Sequence, residues 1–434
     1  MSFTTLLILA IAPAIWALDN GLGQSPPMGW NSWNRYTCDI NETVILNNAK
    51  AMKETGLLEL GYNHIIMDDC WSKRQRDPET GKIVPDPEKF PNGLEDMIEK
   101  IHNMGFKFGM YSSAGKYTCA GYPGSLDYEE IDAKTFADWK IDYLKYDNCF
   151  NQGRSGTPLI SYQRYEAMSE ALNKTGRPIF YALCQWGEDQ VWNWASTVAN
   201  SWRITGDIYD SFDRYDIRCP CETYDCPSLQ GYHCSIMNIV NKATPLAQKT
   251  GPNSGWSDMD MLEIGNGGMT YDEYLTHFTM WAVLKSPLIL GNDVSNMSPE
   301  HLALVSNFDV IAVHQDVSAP ANRIWKKPFV DSFVHLFSGA LSNGDWVVAI
   351  VNEATVPLVE MSIPFSDIFF DNRDNAKFAW TAKDLWTKET ITAARHLTVD
   401  VVPHGTQVWR LQKSTHNSHN SNYWTGHNTG HNAN

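Results

Sequence analysis

Three features are missing from most of this sequence: a long apolar run, a cluster of basic residues and a glycine-rich phosphate-binding loop. After residue 12, no apolar stretch is long enough to cross a membrane. The 34 basic residues are outnumbered by 50 acidic ones, for a net charge of -16. Without a basic patch the chain lacks the electrostatic footprint of a nucleic-acid-binding protein. We therefore expect neither nucleic acid nor a membrane as a partner, and whether the chain forms a homo-oligomer stays open.

The apolar run that is present lies at the N-terminus. Residues 6–12 read LLILAIA and are followed by Pro13 and small residues. This pattern is typical of a secretory signal peptide, although no positive residue precedes the run. We expect residues 1–17 to be removed, so that Leu18 begins the mature chain, and we expect the protein to be secreted and extracellular. Three N-glycosylation sequons agree with export, and they begin at Asn41, Asn173 and Asn296.

Nine cysteines are consistent with an oxidising compartment, where most should pair and one should be left over. Cys184 is isolated from the others in the sequence. The cluster from residue 219 to residue 234 lies in a short polar insertion and should close on itself, with a zinc site as the competing interpretation. Four more cysteines each follow a predicted strand end, where bridges would tie neighbouring loops, and these are Cys38, Cys70, Cys119 and Cys149.

Hydrophobic residues make up 43% of the chain, and residues 18–317 contain eight short apolar strands that alternate with helical patterns. This alternation predicts a (β/α)8 TIM barrel. The predicted strands cover residues 28–33, 62–69, 107–111, 143–147, 178–183, 202–207, 255–262 and 287–293. The predicted helices cover residues 41–58, 94–104, 131–140, 161–173, 231–246, 271–284 and 299–306.

The pattern changes after the barrel. Residues 318–412 contain alternating segments at 332–337, 346–352, 356–363 and 406–411 without long helices, which predicts an antiparallel β-sandwich domain. Residues 413–434 are rich in Asn, His and Ser and nearly free of aliphatic side chains. We expect this tail to be disordered.

The fourth predicted strand, at residues 143–147, ends in a pattern that suggests chemistry. Lys145 and Asp147 are two residues apart and so lie on one side of the strand. A lysine beside an aspartate keeps the aspartate ionised, and a positioned carboxylate can act as a nucleophile. The alternative is a structural salt bridge.

Polar and aromatic side chains recur at the other predicted strand ends, which meet at the mouth of a TIM barrel. Several carboxylates among aromatic walls favour a sugar site, with metal binding by the aspartates as the rival. Hydrolysis of a glycosidic bond needs two carboxyl groups in different states, and Asp207, four residues after Arg203, suits the acid. The residues at strand ends are Trp33, Asp68, Asp69, Tyr111, Lys145, Asp147, Cys184, Gln185, Trp186, Arg203, Asp207, Asp258 and Asp260.

Four motifs in order resemble glycoside hydrolase family 27, especially its fungal and yeast α-galactosidases. They read PPMGWNSW at 26–33, MDDCW at 67–71, LKYDNC at 144–149 and DMDML at 258–262. The resemblance covers residues 18–412 and implies a retaining, cofactor-free and metal-free hydrolysis of terminal α-galactosyl groups, with Asp147 as nucleophile and Asp207 as acid/base. It implies that the galactose pocket contains Trp33, Asp68, Asp69, Tyr111, Lys145, Cys184, Gln185, Trp186, Arg203 and Asp260.

The resemblance also implies disulfide pairs and leaves Cys184 free. The implied pairs are Cys38–Cys70, Cys119–Cys149, Cys219–Cys234 and Cys221–Cys226.

The family also includes α-N-acetylgalactosaminidases, which have a small residue after the cysteine that matches Cys184. Here that residue is Gln185, so galactose is favoured over the bulkier acetamido sugar. A catalytically inactive galactose-binding protein is the third hypothesis, and the presence of both catalytic aspartates speaks against it. The expected substrates are galacto-oligosaccharides, galactomannans or galactolipids.

Overall fold

The computed structural model describes residues 18–214 and 233–414. The predicted signal peptide, Cys219, Cys221, Cys226 and residues 415–434 of the predicted tail lie outside the described residues. Within the described ranges, no helix is both long and apolar enough to cross a membrane.

A closed parallel sheet forms the centre of the first 290 residues. Eight strands follow the order β10-β1-β2-β3-β4-β5-β6-β9, and Leu262, just beyond the last of them, pairs in parallel with Leu290 of the first. The predicted TIM barrel is therefore confirmed. The eight strands of this sheet are β1 Met28–Asn31, β2 His64–Ile66, β3 Lys107–Ser113, β4 Tyr143–Asp147, β5 Phe180–Cys184, β6 Ser201–Arg203, β9 Trp256–Asp258 and β10 Leu288–Leu290. A separate pair of strands consists of β7 Asp207–Ile208 and β8 His233–Cys234.

Helices cover the outside of the barrel, and local sequence sets where several begin. Asn41 and Thr157 accept hydrogen bonds from backbone amides of the helices that follow them, and Thr270 forms a capping box with Glu273. The helices are α1 Trp33–Tyr36, α2 Glu42–Glu54, α3 Gly93–Met104, α4 Glu129–Asp138, α5 Pro158–Lys174, α6 Ile236–Ala243, α7 Tyr271–Val283, α8 Pro299–Val305 and α9 Phe308–Gln315. Short 3-10 helices occupy Glu188–Asn193, Ala195–Thr197, Thr244–Lys249 and Val294–Asn296.

The predicted sixth strand, at residues 202–207, is two separate elements. β6 ends at Arg203, and Asp207 begins β7, which pairs with β8 instead of with the barrel. The chain bends between them at residues 205–206. The helix predicted from residue 231 begins at Ile236, because Ser235 and Asn238 form its capping box.

The C-terminal domain is an antiparallel sandwich, as predicted. Its six-stranded sheet has the order β11-β12-β13-β18-β15-β16, and β14 pairs with β17 as a second layer. The elements are β11 Asn322–Phe329, β12 Ser332–Ala340, β13 Trp346–Asn352, β14 Leu358–Pro364, α10 Phe365–Ile368, the 3-10 helix Asn375–Lys377, β15 Trp380–Asp384, β16 Thr390–Ala394, β17 His396–Val401 and β18 Thr406–Lys413.

The two faces of the six-stranded sheet have different neighbours. Leu336 and Trp409 share a core with Ile363 and Leu397 of the second layer. Phe337 and Val408 belong to the same core as the barrel. This sheet therefore joins the two domains. The exact domain boundaries stay predictions, although Lys413, which we placed in the tail, is the last residue of β18.

Candidate active site

Asp147 ends β4 at the carboxyl-terminal mouth of the barrel, where it is buried. Strand register places it opposite Cys184 of β5. The hydroxyl of Tyr111 donates to its Oδ2 at 2.7 Å and the amide of Asn148 to its Oδ1 at 2.8 Å. Burial, together with the charge of Asp207, raises the pKa of Asp147 to about 7 against the opposing effects of Lys145 and these two donors. Both oxygens are thus oriented by donors in a desolvated setting.

Lys145 makes its ion pair with another carboxylate. Its Nζ lies 2.7 Å from Oδ2 of Asp68, which also accepts from Asn31 Nδ2 at 2.7 Å. The prediction that Lys145 keeps Asp147 ionised is wrong, because burial raises the pKa of Asp147 by more than the charge of Lys145 lowers it. Burial opposes the charge on Lys145 itself, but Asp68 and the other acidic neighbours, among them Asp147 and Asp260, together more than compensate, so its pKa is raised.

Asp69 is held by the backbone of two loops at the mouth. Cys70 N donates to its Oδ1 at 2.6 Å and Ala120 N to its Oδ2 at 2.9 Å. Burial raises the pKa of Asp69, and these donors oppose that effect. The side chain is therefore fixed in orientation beside Asp68.

Arg203 joins the two carboxylates that follow β6 and β9. Its Nη2 lies 3.0 Å from Oδ1 of Asp207 and 2.9 Å from Oδ2 of Asp260. The Arg203 side chain is 3% exposed, whereas that of Asp207 is 36% exposed. Ile208 N also donates to Asp260 at 2.8 Å. Asp207 is thus the accessible carboxylate of this group.

A cavity inside the mouth brings several predicted residues together. Its polar lining includes Asn31, Lys145, Cys184, Arg203, Asp258 and Asp260. Burial raises the pKa of Asp258 to about 6. Trp33 is half-buried and packs against an apolar cluster that shares Tyr143 and Met261, among others, with this lining. The cavity therefore combines an aromatic and apolar wall with charged groups, as a sugar requires.

Gln185 and Trp186 follow Cys184 in the sequence but do not line the cavity. Both are buried, and neither atom of the Gln185 side-chain amide has a hydrogen-bond partner in the part of the chain that the structure describes. Both residues directly follow Cys184, the last residue of β5.

Comparisons with known proteins agree with this arrangement. Residues 25–316 match the family model described as alpha galactosidase A, and residues 331–411 match the alpha galactosidase C-terminal beta sandwich domain. An α-galactosidase of Schizosaccharomyces pombe is 63% identical over 395 residues, which cover 91% of this chain and 90% of that protein. The chain belongs to the α-galactosidase family.

Solved structures of the family share its fold. The α-galactosidase I of Mortierella vinacea is 51% identical with a TM-score of 0.87, covering 92% of this chain and 99% of its own. An α-galactosidase of Saccharomyces cerevisiae, solved with raffinose, is 42% identical with a TM-score of 0.87, covering 93% of this chain and all of its own. The activity of this glycoside hydrolase is therefore that of an α-galactosidase.

Two disulfides of the α-galactosidase tie the mouth loops, in the pairs Cys38–Cys70 and Cys119–Cys149. The Cys119 sulfur lies 3.3 Å from Oδ2 of Asp147. As part of a disulfide it packs there without donating a proton.

The pairing of the cysteines also bears on two alternatives from the sequence, metal binding by the aspartates at the mouth and a zinc site in the cysteine cluster at residues 219–234. The group of metal-ligand type found among the described residues is Cys119, Asp147 and Cys149, whose sulfurs are joined to each other. Cys234 is also disulfide-bonded, so it is not a zinc ligand. The rest of its cluster lies outside the described residues, and Cys184 is a free, buried thiol.

Sequence reasoning missed a polar layer behind the nucleophile candidate. Arg164 Nη2 donates to Asn148 Oδ1 at 2.5 Å, and Asn148 Nδ2 donates to Glu188 at 2.8 Å. Arg164 also donates to the Ala114 carbonyl at 2.8 Å. Asn148, directly after Asp147, was a signal that could have been used. Arg164 gave none, since an arginine within a helix resembles any surface cation.

Proposed function

We propose that this α-galactosidase is an exo-acting, retaining enzyme with Asp147 as nucleophile and Asp207 as acid/base. The observation that carries the proposal is the contrast between the two carboxyl groups. Asp147 is buried with both oxygens oriented by donors. Asp207 is accessible and paired with Arg203. Retaining hydrolysis needs one carboxylate that attacks and another that exchanges protons.

In the first step, an oxygen of Asp147 forms a bond to the anomeric carbon while the bond to the leaving oxygen breaks. Asp207 gives its proton to that oxygen, which departs as an alcohol. The product is a β-galactosyl ester of Asp147. In the second step, water loses a proton to Asp207 and attacks the same carbon, releasing α-galactose and restoring both carboxyl groups.

Galactose recognition is assigned to the fixed polar groups around the cavity. Asp68 and Asp69 accept hydrogen bonds from sugar hydroxyls, and Lys145, Arg203 and Asp260 complete the polar wall. Each is already oriented by protein partners, so little ordering is required on binding. Trp33, Tyr111 and Trp186 supply aromatic surface, and Cys184 contributes its thiol to the lining.

The substrates we propose are terminal α-galactosides of galacto-oligosaccharides, galactomannans or galactolipids. The Saccharomyces cerevisiae relative solved with raffinose supports the first of these classes. Gln185 supports galactose over its acetamido analogue, since it directly follows Cys184 of the cavity lining and a side chain of its size leaves little space for an acetamido group.

The test is a paired assay on p-nitrophenyl α-galactoside and its α-N-acetylgalactosaminide, with the released sugar followed by proton NMR. We expect turnover of the galactoside alone, with the α anomer appearing first. Preference for the acetamido substrate would refute the role of Gln185. The β anomer appearing first would refute the double displacement. Folded protein that binds galactose without turnover would be a binding protein.

We also propose that the protein is secreted and N-glycosylated. Asn41, Asn173 and Asn296 are all at least partly exposed, as glycan attachment requires. Protein expressed in a eukaryotic host and recovered from the medium should begin at Leu18 and lose mass on endoglycosidase treatment. Retention in the cell with an intact N-terminus would contradict this.

A further inference from the structure

The C-terminal domain contacts the segment that carries Asp207. His404, in the loop between β17 and β18, stacks its ring on Phe212 with centroids 4.4 Å apart and planes 16° from parallel. Phe212 is 3% exposed and lies five residues after Asp207. A residue of the sandwich therefore covers the continuation of the acid/base segment, which we define as residues 207–212.

His404 is itself anchored to the barrel. Its Nδ1 lies 2.7 Å from Oε1 of Glu273, and its carbonyl accepts from the Thr276 hydroxyl at 2.7 Å. Thr406 donates to the same Thr276 hydroxyl at 2.9 Å. Because Glu273 and Thr276 lie in the first two turns of α7, the imidazole is held between α7 and Phe212.

The start of α7 also holds the middle of the acid/base segment. Asp210 accepts from the Tyr274 hydroxyl at 3.0 Å and from the Gly268 amide at 2.6 Å. Tyr274 is the neighbour of Glu273, which binds His404. The segment is thus held at Asp210 by hydrogen bonds from the barrel and at Phe212 by stacking on His404. Both contacts depend on residues at the start of α7.

Asp207 depends on its backbone for orientation. Its side chain is 36% exposed and is held by an ion pair with Arg203. The backbone around it is positioned by pairing with β8 and by the bonds from Ile236 N to Ser211 O and from Met237 N to Phe212 O. A displacement at Phe212 would therefore be transmitted through a few residues to the carboxyl group.

We propose that His404 is a positioning residue for the acid/base Asp207, so that the sandwich domain takes part in proton transfer by holding the 207–212 segment. This rests on the proposed role of Asp207. His404 holds the ring of Phe212. The segment then keeps the carboxyl group of Asp207 within reach of the leaving oxygen. The sandwich then has a catalytic contribution in addition to a packing one.

The first test uses His404→Asn in the full chain. The backbone φ of His404 is 56°, a conformation that asparagine tolerates, so the variant removes the ring without straining the loop. His396→Asn is the matched control, because His396 is an exposed histidine of the same domain. Hydrogen exchange of residues 207–214 should become faster in the first variant and stay unchanged in the control. Unchanged exchange in both would overturn the positioning role.

The second test measures leaving-group dependence. Melibiose, with a poor sugar leaving group, needs the proton of Asp207, whereas p-nitrophenyl α-galactoside needs it much less. We expect His404→Asn to lower kcat/KM on melibiose about tenfold and on the aryl substrate less than about twofold, a fraction of the full effect of general acid catalysis. Equal losses on both substrates would indicate a merely structural role and would overturn the proposal.

Two further variants distinguish a failure of the proposed His404 contact from a failure of the acid/base assignment of Asp207. Phe212→Leu should give the same selective loss from the other side of the contact, and the double variant should be no worse than either single one. Additive losses would contradict the proposed contact. Asp207→Asn, assayed alongside, should show the same selectivity in stronger form. If exchange is faster in His404→Asn but Asp207→Asn shows no selectivity, the acid/base assignment has failed, and the catalytic claim for His404 is overturned with it.

Discussion

The hydroxyl of Tyr111 donates a 2.7 Å hydrogen bond to Oδ2 of Asp147, from the neighbouring strand of the barrel. The bond lowers the pKa of Asp147, while burial raises it. It also fixes the rotation of the carboxylate, since the other oxygen is held by Asn148 N. Tyr111 therefore favours the charged, oriented form of Asp147 that attacks a sugar.

Tyr111→Phe should lower kcat/KM about ten- to hundredfold, the equivalent of about 1.5–3 kcal/mol for a hydrogen bond to a charged group. Kinetics on p-nitrophenyl α-galactoside would measure the loss. Tyr117→Phe is the control, because Tyr117 is an exposed tyrosine in the loop after the same strand. Equal activity of the two variants would show that the hydroxyl of Tyr111 has no part in catalysis.

The pH dependence should reflect a carboxyl pair that keeps one proton to near neutrality. Burial and then the charge of Asp207 raise the pKa of Asp147, to about 7, and such coupled groups titrate as a pair. The singly protonated pair has one nucleophile and one acid, so kcat/KM should decline as pH rises through about 7. A profile that stays flat into alkaline pH would contradict this account.

The same pKa predicts that the nucleophile reduces stability at alkaline pH. A folded-state pKa of about 7, above the ordinary aspartate value of 3.8, means that the unfolded chain loses its proton first as pH rises. The free energy of unfolding therefore falls between these values, and the full penalty of about 4 kcal/mol is present above pH 7. Asp147→Asn should be more stable than wild type at pH 8 and nearly equal at pH 3.5. Chemical denaturation at both pH values measures this, and an equal difference at both would contradict it.

Asp207→Asn should discriminate between leaving groups. Loss of the proton donor should lower turnover of melibiose about a hundredfold or more, while the first step on an aryl galactoside with an acidic phenol should be much less affected. Added azide should then accelerate the aryl reaction and give α-galactosyl azide, because this anion displaces Asp147 from the β-galactosyl ester without a general base. Equal loss on both substrates with no azide product would count against the acid/base assignment.

Much of the fold was predictable from the alternation of apolar and polar residues along the sequence. The strand at Tyr143–Asp147 has the predicted ends, because its alternation is regular and the barrel buries it on both sides. The break after Arg203 was not predictable in this way. β6 is three residues long and Asp207 pairs with β8, a contact between residues far apart in sequence.

The contacts within the candidate site were likewise only partly predictable from the sequence. Pattern placed Lys145 and Asp147 on one side of a strand, but which carboxylate the lysine pairs with depends on how the loop after β2 approaches β4. That approach brings Asp68 to 2.7 Å. Burial, which determines the pKa of Asp147, is likewise a property of the assembled mouth.

The measurement that tests the central claim most directly is trapping of the galactosyl-enzyme. An activated fluorinated galactoside should label the protein once, and peptide mass spectrometry should find the sugar on Asp147, with no labelling of Asp147→Asn. A label on a different carboxylate, or full turnover of substrate by Asp147→Asn, would contradict the assignment of Asp147 as the nucleophile.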